Sequence, residues 1–209
     1  ARARNLHKTA QIIAAEYGGI FPTDQKTLLA LPGIGPYTAN AIIVMGYGQQ
    51  GVVVDGNIER VISRLFAIKT PLPKAKKDIA AAYEQCCPKF RPSDFPQALM
   101  DFANAVCTPK APRCGICPLA DACRSYAYDI AEQLPFKAPK RQKPTRLGLA
   151  FVAINQDGKA FLERRPDQGL LGGMMAFPSV GWAQTDWSDV DVDPIDSAAP
   201  FAADWRQLP

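Results

Sequence analysis

Apolar residues recur at helical spacing from the start of the chain, at Leu6, Ala10, Ile13 and Tyr17. This spacing predicts a helix over about 4–17, which the glycines at 18–19 would end. Similar patterns predict a short helix around Leu28 and longer helices over 37–47, 58–66, 74–87 and 94–107. We therefore expect residues 1–133 to form a mainly α-helical region.

Four residue types mark where these helices begin. Thr23 or Asp24 can cap the helix around Leu28, and Ser93 can cap the helix over 94–107, because their side chains accept hydrogen bonds from free N–H groups. Pro36 suits the first position of a helix, where the N–H that it lacks has no partner in any case.

The pattern changes after residue 133. Residues 134–146 hold three prolines and five basic residues, which is typical of a linker. Beyond them, alternating apolar residues from Leu147 to Val152, a turn at 155–158 and a second run at 160–162 predict a β-hairpin. The segment 183–209 is acidic and carries little structural signal. Residues 147–209 are thus expected to begin a second domain of the α+β or β class.

Charge is distributed unevenly along the chain. The net charge of +4 combines +8 over residues 1–145 with −4 over 146–209. A basic first part favours a polyanionic partner such as nucleic acid, although a solvated surface explains the charge equally well. No apolar run has the length that a membrane span needs.

Four cysteines spaced C-x6-C-x2-C-x5-C occupy the segment 107–123: Cys107, Cys114, Cys117 and Cys123. Four thiolates this close together can hold zinc or an iron–sulfur cluster, and the spacing differs from that of common zinc modules. Disulfides are the alternative, but a chain with a large apolar core does not need them. We expect Cys86 and Cys87 to be buried free thiols. A thiolate metal site indicates a reducing compartment, the cytoplasm.

Two further features allow either a structural or a functional interpretation. The glycine-rich turn at 31–36 can present backbone N–H groups and a helix N-terminus to a phosphate, or can simply join two helices. Asp55 precedes a helix, where aspartate is a favoured cap. The combination of this turn, the aspartate and the cysteine loop in one chain favours the functional interpretation.

These motifs resemble one superfamily. Leu-Pro-Gly-Ile-Gly-Pro-Tyr-Thr-Ala at 31–39, Val-Asp-Gly-Asn-Ile-Glu-Arg-Val at 54–61 and the cysteine loop at 107–123 are similar to those of helix-hairpin-helix DNA glycosylases with an iron–sulfur cluster. The chain looks most like the MutY-type adenine DNA glycosylases, over nearly its whole length. The segment 169–178 resembles the Nudix-like mispair-recognition domain of that family.

The resemblance implies a fold, a cofactor and an activity. The fold would be a helix-hairpin-helix glycosylase domain with a [4Fe-4S] loop, followed by the start of a Nudix-like domain. The enzyme would bind double-stranded DNA as a monomer at the bacterial nucleoid and remove adenine opposite 8-oxoguanine or guanine. Asp55 would stabilise the sugar cation, with Tyr37 and Asn57 lining the site. The expected DNA contacts are Leu31, Gly33, Ile34, Gly35, Thr38, Lys110 and Arg113.

Tyr37 separates this family from the endonuclease III type, which carries a lysine there. Lysine can form a Schiff base with the sugar and cleave the strand, whereas tyrosine cannot. We therefore expect a monofunctional glycosylase. The family's acid, a glutamate in an early helix, would precede Ala1, and the reader of 8-oxoguanine would follow Pro209. We accordingly expect a fragment that lacks both ends and is inactive or nearly so by itself.

Three alternatives stay open from the sequence. The first is an endonuclease III-like bifunctional enzyme, which Tyr37 argues against. The second is a non-catalytic iron–sulfur module that only binds DNA, for which a carboxylate facing phosphate would bring no advantage. The third and weakest is a zinc-binding regulator.

Overall fold

The computed structural model describes residues 2–139, 145–183 and 199–206, in two compact units. One unit spans Arg2–Pro139 and is helical, and the other includes the short strands that follow residue 140. Within these residues, no helix is both long enough and apolar enough to cross a membrane. Most of the acidic segment 183–209 lies outside the described residues.

Seven α-helices form the first unit: α1 Arg2–Glu16, α2 Gln25–Ala30, α3 Pro36–Ala41, α4 Gly56–Leu65, α5 Lys76–Cys86, α6 Asp94–Ala105 and α7 Arg124–Ala127. A π-helical turn, Ile42–Gly46, continues α3. Short 3-10 turns at Cys114–Ile116, Ala120–Ala122 and Ala131–Gln133 lie around the cysteines. The predicted helices are present, with ends shifted by at most two residues when the π-helical turn is counted with α3.

The first core packs α1 against the glycine hairpin. Ile13, Leu28 and Ile43 are among its buried residues. The sequence predicted helix α1 correctly, but Leu6 is 72% exposed, and Thr9 is buried in its place. Thr9 is buried because its hydroxyl donates to the carbonyl of Pro32 at 2.7 Å, which fastens α1 to the turn.

The hairpin turn between α2 and α3 follows from local chemistry. Asp24 caps α2 by accepting a hydrogen bond from the N–H of Thr27 at 2.8 Å, and Pro36 opens α3 as expected. Gly33 has a φ of +79°, and a Cβ there would lie 2.8 Å from Cβ of Asn5. Only glycine satisfies both constraints.

The second core surrounds α4. Buried side chains of α4, including Ile58 and Ile62, pack against Ile79 and Tyr83 of α5 and Leu99 of α6. The expected cap of α6 is wrong in one respect: Ser93 stands before the helix, but its side chain makes no capping hydrogen bond. Its hydroxyl lies 3.2 Å from the Asp94 carboxylate instead.

The start of the predicted linker packs on this helical unit. The N–H of Leu72 donates to the carbonyl of Phe136 at 2.8 Å, and the N–H of Ala138 donates to the carbonyl of Leu72 at 3.1 Å. Leu134 is only 2% exposed. Residues 134–139 therefore belong to the helical unit, and residues 140–144 lie outside the described ranges.

The described residues of the second unit form two small antiparallel sheets, with strands β1 Leu147–Ala150, β2 Glu163–Arg164, β3 Met175–Ala176 and β4 Ser179–Ala183. The predicted hairpin is wrong in its pairing: β1 pairs with β4, and β2 pairs with β3. The predicted turn is nevertheless present, because Ile154 and Ala160 form an isolated antiparallel bridge and the N–H of Phe161 donates to the carbonyl of Ala153 at 2.8 Å. Trp205 packs edge-on against Phe151, with ring centroids 5.1 Å apart.

Gly33→Ala tests the close approach of the hairpin turn to α1. We expect the free energy of unfolding to fall by about 1–2 kcal/mol, because a Cβ is disfavoured at positive φ and meets Asn5. Gly35→Ala is the matched control, since Gly35 has a φ of −97° and an added Cβ there would meet only open space. Urea unfolding of both variants checks this, and equal effects would contradict it.

Candidate active site and metal centre

Asp55 lies at the N-terminus of α4 and caps it. Its Oδ1 accepts hydrogen bonds from the backbone N–H groups of Asn57 at 2.9 Å and Ile58 at 2.8 Å. Its Oδ2 accepts one bond, from Nδ2 of Asn57 at 3.1 Å. The structural and catalytic interpretations of Asp55 are therefore compatible, because one oxygen holds the helix and the other keeps capacity for a ligand.

Tyr37 and Asp55 are brought together although 18 positions separate them in the sequence. Tyr37 lies in the first turn of α3, and its side chain is 45% exposed. Partial burial and the negative charge of Asp55 raise the pKa of the Tyr37 phenol. A tyrosine hydroxyl is protonated at neutral pH in any case, and the raised pKa extends its capacity to donate a hydrogen bond to more alkaline pH.

The exposed part of the hairpin turn consists of backbone. Gly33 is exposed, and among the residues that the structure describes the N–H groups of Gly33 and Gly35 have no acceptor. Ile34 and Thr38 are half-buried. Leu31 is only 5% exposed and belongs to the first core, so its side chain supports the turn from inside. The turn therefore offers amide donors at its surface.

The four cysteines of the loop line a single pocket: Cys107, Cys114, Cys117 and Cys123. N–H groups point at two of the sulfur atoms, because Arg64 Nη1 lies 3.4 Å from Cys107 Sγ and the N–H of Leu119 lies 3.4 Å from Cys117 Sγ. In the described ranges, no three Cys, His, Asp or Glu side chains come close enough to hold one metal ion. The sulfur atoms thus surround the pocket and do not converge on one point.

Two buried arginines of α4, which the sequence pattern did not single out, hold this loop. Arg60 is 7% exposed and Arg64 is 2% exposed. Arg60 donates to the carbonyls of Cys107 at 2.7 Å and Ala103 at 2.9 Å. The available signal was their spacing of four residues on a helix whose other positions are mostly apolar.

Arg64 joins two separate segments of backbone through three carbonyl groups. Its guanidinium donates to the carbonyls of Thr108 at 2.7 Å, Pro109 at 3.2 Å and Leu134 at 3.0 Å. It therefore ties the beginning of the cysteine loop and the segment around Leu134 to α4. Arg60 makes a further link, since its Nη1 lies 3.3 Å from Oδ1 of Asn57, the neighbour of Asp55.

The charges around the pocket suit an anionic metal–thiolate group. Within the described part of the chain, neither Arg60 nor Arg64 forms an ion pair, so two buried cations lack a carboxylate partner. Buried charge is costly unless it is compensated, and thiolates bound to iron carry compensating negative charge. The donor set of the four cysteines therefore fits an iron–sulfur cluster.

Burial raises the pKa of the Cys114 thiol, and the charges of the other three cysteines raise it further. Four uncompensated thiolates would repel one another here, and bound metal removes this penalty. None of the six cysteines, all of which are described, forms a disulfide. Cys86 and Cys87 are free, as expected, but only half-buried.

Lys110 and Arg113 are exposed at the start of the cysteine loop. The hydroxyl of Thr108 donates to the carbonyls of Lys110 at 2.9 Å and Ala111 at 3.1 Å. The N–H of Arg113 donates to the carbonyl of Val106 at 3.0 Å. The backbone that carries these two cations is therefore held in place by local hydrogen bonds.

Two family models match segments of the chain. The helix-hairpin-helix motif matches residues 16–44, and the iron-sulfur binding domain of endonuclease III matches residues 107–123. The second match confirms the predicted [4Fe-4S] cofactor, and it decides between the cluster and zinc, which the spacing had left open.

Curated proteins named adenine DNA glycosylase align with most of the chain. The protein of Buchnera aphidicola subsp. Baizongia pistaciae is 33% identical over 177 residues, covering 85% of this chain and 50% of that protein. The human protein is 31% identical over 230 residues, covering 87% and 42%. The Mycolicibacterium smegmatis protein is 42% identical over 119 residues, covering 57% and 41%.

The resemblance to the MutY-type adenine DNA glycosylases is confirmed. The chain spans about half the length of the curated relatives that it matches.

Two solved structures of DNA glycosylases share the helical fold. A thermostable thymine-DNA glycosylase has a TM-score of 0.54 and 32% identity, covering 60% of this chain and 58% of that one. A trapped endonuclease III–DNA covalent intermediate has a TM-score of 0.51 and 28% identity, covering 61% and 59%. The mainly helical helix-hairpin-helix glycosylase fold is thereby confirmed.

Arg64→Met tests whether the buried arginine holds the cluster loop of this relative of the adenine DNA glycosylases. We expect the free energy of unfolding to fall by about 3 kcal/mol or more, because three carbonyl groups lose their donor. Iron and acid-labile sulfide per purified chain should fall as well. Arg124→Met is the control, since Arg124 is exposed at the end of the same loop. Full iron content and unchanged stability in Arg64→Met would show that the contacts carry little energy.

Proposed function

We propose that the full-length protein is a base-excision repair glycosylase that removes adenine from DNA. The observation that carries this proposal is the Asp55 carboxylate at the start of α4, within electrostatic range of Tyr37 in the first turn of α3, the helix that begins at the glycine hairpin. A carboxylate beside a phosphate-binding turn suits the stabilisation of a sugar cation. The name of the curated relatives, adenine DNA glycosylase, supports adenine as the base.

DNA would be held at two places on the helical unit. The amide groups of Gly33 and Gly35, which have no acceptor among the described residues, would donate to backbone phosphates beside the target nucleotide. Lys110 and Arg113 would contact phosphates from the cysteine loop, where the fixed backbone limits the entropy lost on binding. The cluster would supply the rigid framework of this loop, held by the four cysteines.

The chemistry would begin with the adenine turned out of the duplex, because the N-glycosidic bond is not accessible in the stack. As the bond breaks, positive charge develops on the sugar, and Asp55 Oδ2 would stabilise it. Asn57 would keep Asp55 oriented through its 3.1 Å hydrogen bond. The Tyr37 hydroxyl would add a polar contact in the same place.

The acid that protonates the leaving adenine would be the glutamate expected from the family. Glu16 and Glu59 are poor substitutes. Glu16 ends α1, and Glu59 pairs with Lys76 at 3.7 Å.

The reaction would stop at base removal. Tyr37 occupies the place where a lysine would be needed to form a Schiff base with C1′. We propose a monofunctional enzyme for this reason, with strand cleavage left to another activity or to alkali.

The partner base and the second unit complete the proposal. We propose duplexes with adenine opposite 8-oxoguanine or guanine as substrates, on the basis of the resemblance. Residues 147–209 would begin a Nudix-like domain that reads the opposite base. The small antiparallel sheets of the second unit support an assignment to a β-containing domain.

Asp55→Asn tests the activity in the full-length protein. Under single-turnover conditions, we expect the wild type to release adenine opposite 8-oxoguanine, with strand breaks only after alkali, and the variant to be at least 100-fold slower, since a neutral amide does not stabilise a cation. Asparagine is also a good helix cap, so the fold should persist. Tight DNA binding without base release by the wild type would favour the non-catalytic module. Strand breaks without alkali would favour the bifunctional enzyme.

Lys110→Ala and Arg113→Ala test the loop as a phosphate clamp. A plot of the logarithm of the DNA association constant against the logarithm of the salt concentration has a negative slope. Each substitution should make this slope shallower by about 1, because one fewer counterion is released on binding. Fluorescence anisotropy with the same duplex at several salt concentrations measures this slope. Lys77→Ala, an exposed change on α5, should leave the slope unchanged. Identical slopes for all three variants would contradict the assignment.

A further inference from the structure

Asn40 lies one helical turn after Tyr37 on α3, and its side chain joins three segments. Its Nδ2 donates to the main-chain carbonyl of Val52 at 2.8 Å. Its Oδ1 accepts from Nε2 of Gln25, the first residue of α2, at 2.7 Å. One amide therefore connects both helices of the hairpin with the segment that leads to Asp55.

The segment 52–54 belongs to no helix and no sheet, so side-chain contacts hold it in place. In the described structure, no backbone N–H donates to the carbonyl of Val52, so the Asn40 amide takes the place of a neighbouring strand. The side chain of Val53 is fully buried, and its packing holds one side of the segment against the protein interior. The hydrogen bond from Asn40 fixes its position relative to the hairpin.

We infer that Asn40 is a positioning residue that sets the distance between the hairpin and the Asp55 carboxylate. Asp55 is held from its C-terminal side by the cap of α4 and from its N-terminal side by the anchored carbonyl of Val52. Tyr37 and Asn40 lie on the same short helix, so the geometry of Tyr37 and Asp55 depends on this anchor. The inference rests on the proposed function.

A hydrogen bond that positions Asp55 and one that only stabilises the fold affect different measured quantities. A bond that only stabilised the fold would, when lost, lower thermal stability and leave the excision rate of the folded enzyme unchanged. Loss of a positioning bond should slow the chemical step while DNA affinity stays constant, because the hairpin amides are untouched. Small displacements of a catalytic group are known to reduce rates by up to about 100-fold.

The test is Asn40→Leu in the full-length protein, since leucine keeps the volume but donates no hydrogen bond. We expect the single-turnover rate of adenine excision to fall about tenfold, by the sensitivity of rates to misplacement. The Kd for a duplex with non-cleavable 2′-fluoro-deoxyadenosine should stay within about twofold of the wild type, since the phosphate contacts are unaltered. An unchanged excision rate in a folded variant would overturn the inference.

Two more variants distinguish loss of positioning from general destabilisation of the fold. Asn40→Asp keeps the shape and the acceptor for Gln25 but cannot donate to Val52, so its excision rate should fall at least as far as that of Asn40→Leu. Gln50→Leu is the matched control, because Gln50 ties the same loop to the carbonyl of Pro88 at 3.0 Å and does not touch the hairpin. If Gln50→Leu slowed excision as much as the Asn40 variants, general loosening of the loop would explain the result, and the inference would fail.

A readout without catalysis separates this inference from the proposed function. Asp55 contributes to the raised pKa of Tyr37, so displacement of the carboxylate should move the pKa of Tyr37 towards its ordinary value. NMR titration of tyrosine labelled at Cζ measures this in wild type and Asn40→Leu. If the wild type released no adenine, the proposed function would fail, and the titration would still test the positioning. Identical Tyr37 titrations would overturn it.

Discussion

The burial of two arginines on α4 is the constraint on which the helical unit depends. Arg60 and Arg64 are inside the protein, and their donors reach main-chain carbonyls of α6, the cysteine loop and the segment around Leu134. Separate loops without regular structure are thereby fixed to one helix. Because the arginines have no carboxylate partner among the described residues, the anionic cluster is the natural counter-charge for them.

Helix α4 also carries the candidate catalytic group, because Asp55 lies at its N-terminus. Asp55 caps α4, and Asn57 connects it to Arg60, whose Nε donates to the carbonyl of Cys107. Asn40 of the hairpin fixes the chain just before Asp55, because its Nδ2 donates to the carbonyl of Val52. The carboxylate is thus held between the glycine hairpin and the cysteine loop, and in the proposed function each of these two surfaces would position the duplex for chemistry at Asp55.

Much of this arrangement could be predicted from the sequence because it is local. The helices, the cap at Asp24, Pro36 and the cysteine spacing follow from neighbouring residues. The burial of Arg64 could not be predicted, since arginine is usually exposed and the three carbonyls it reaches lie far along the chain. The partner of β1 was missed for a similar reason, because strand pairing depends on long-range register. The exposure of Leu6 shows that a periodic pattern predicts a helix more reliably than its buried face.

The most direct test of the central claim is a crystal structure of the full-length protein bound to a duplex that contains non-cleavable 2′-fluoro-deoxyadenosine opposite 8-oxoguanine. We predict that the adenosine is turned out of the duplex, with its C1′ about 3.5 Å from Asp55 Oδ2, a near-attack distance. A phosphate should accept hydrogen bonds from the N–H groups of Gly33 and Gly35. An adenosine that remains stacked, with Asp55 remote from the sugar and the hairpin turn free of DNA, would contradict the claim.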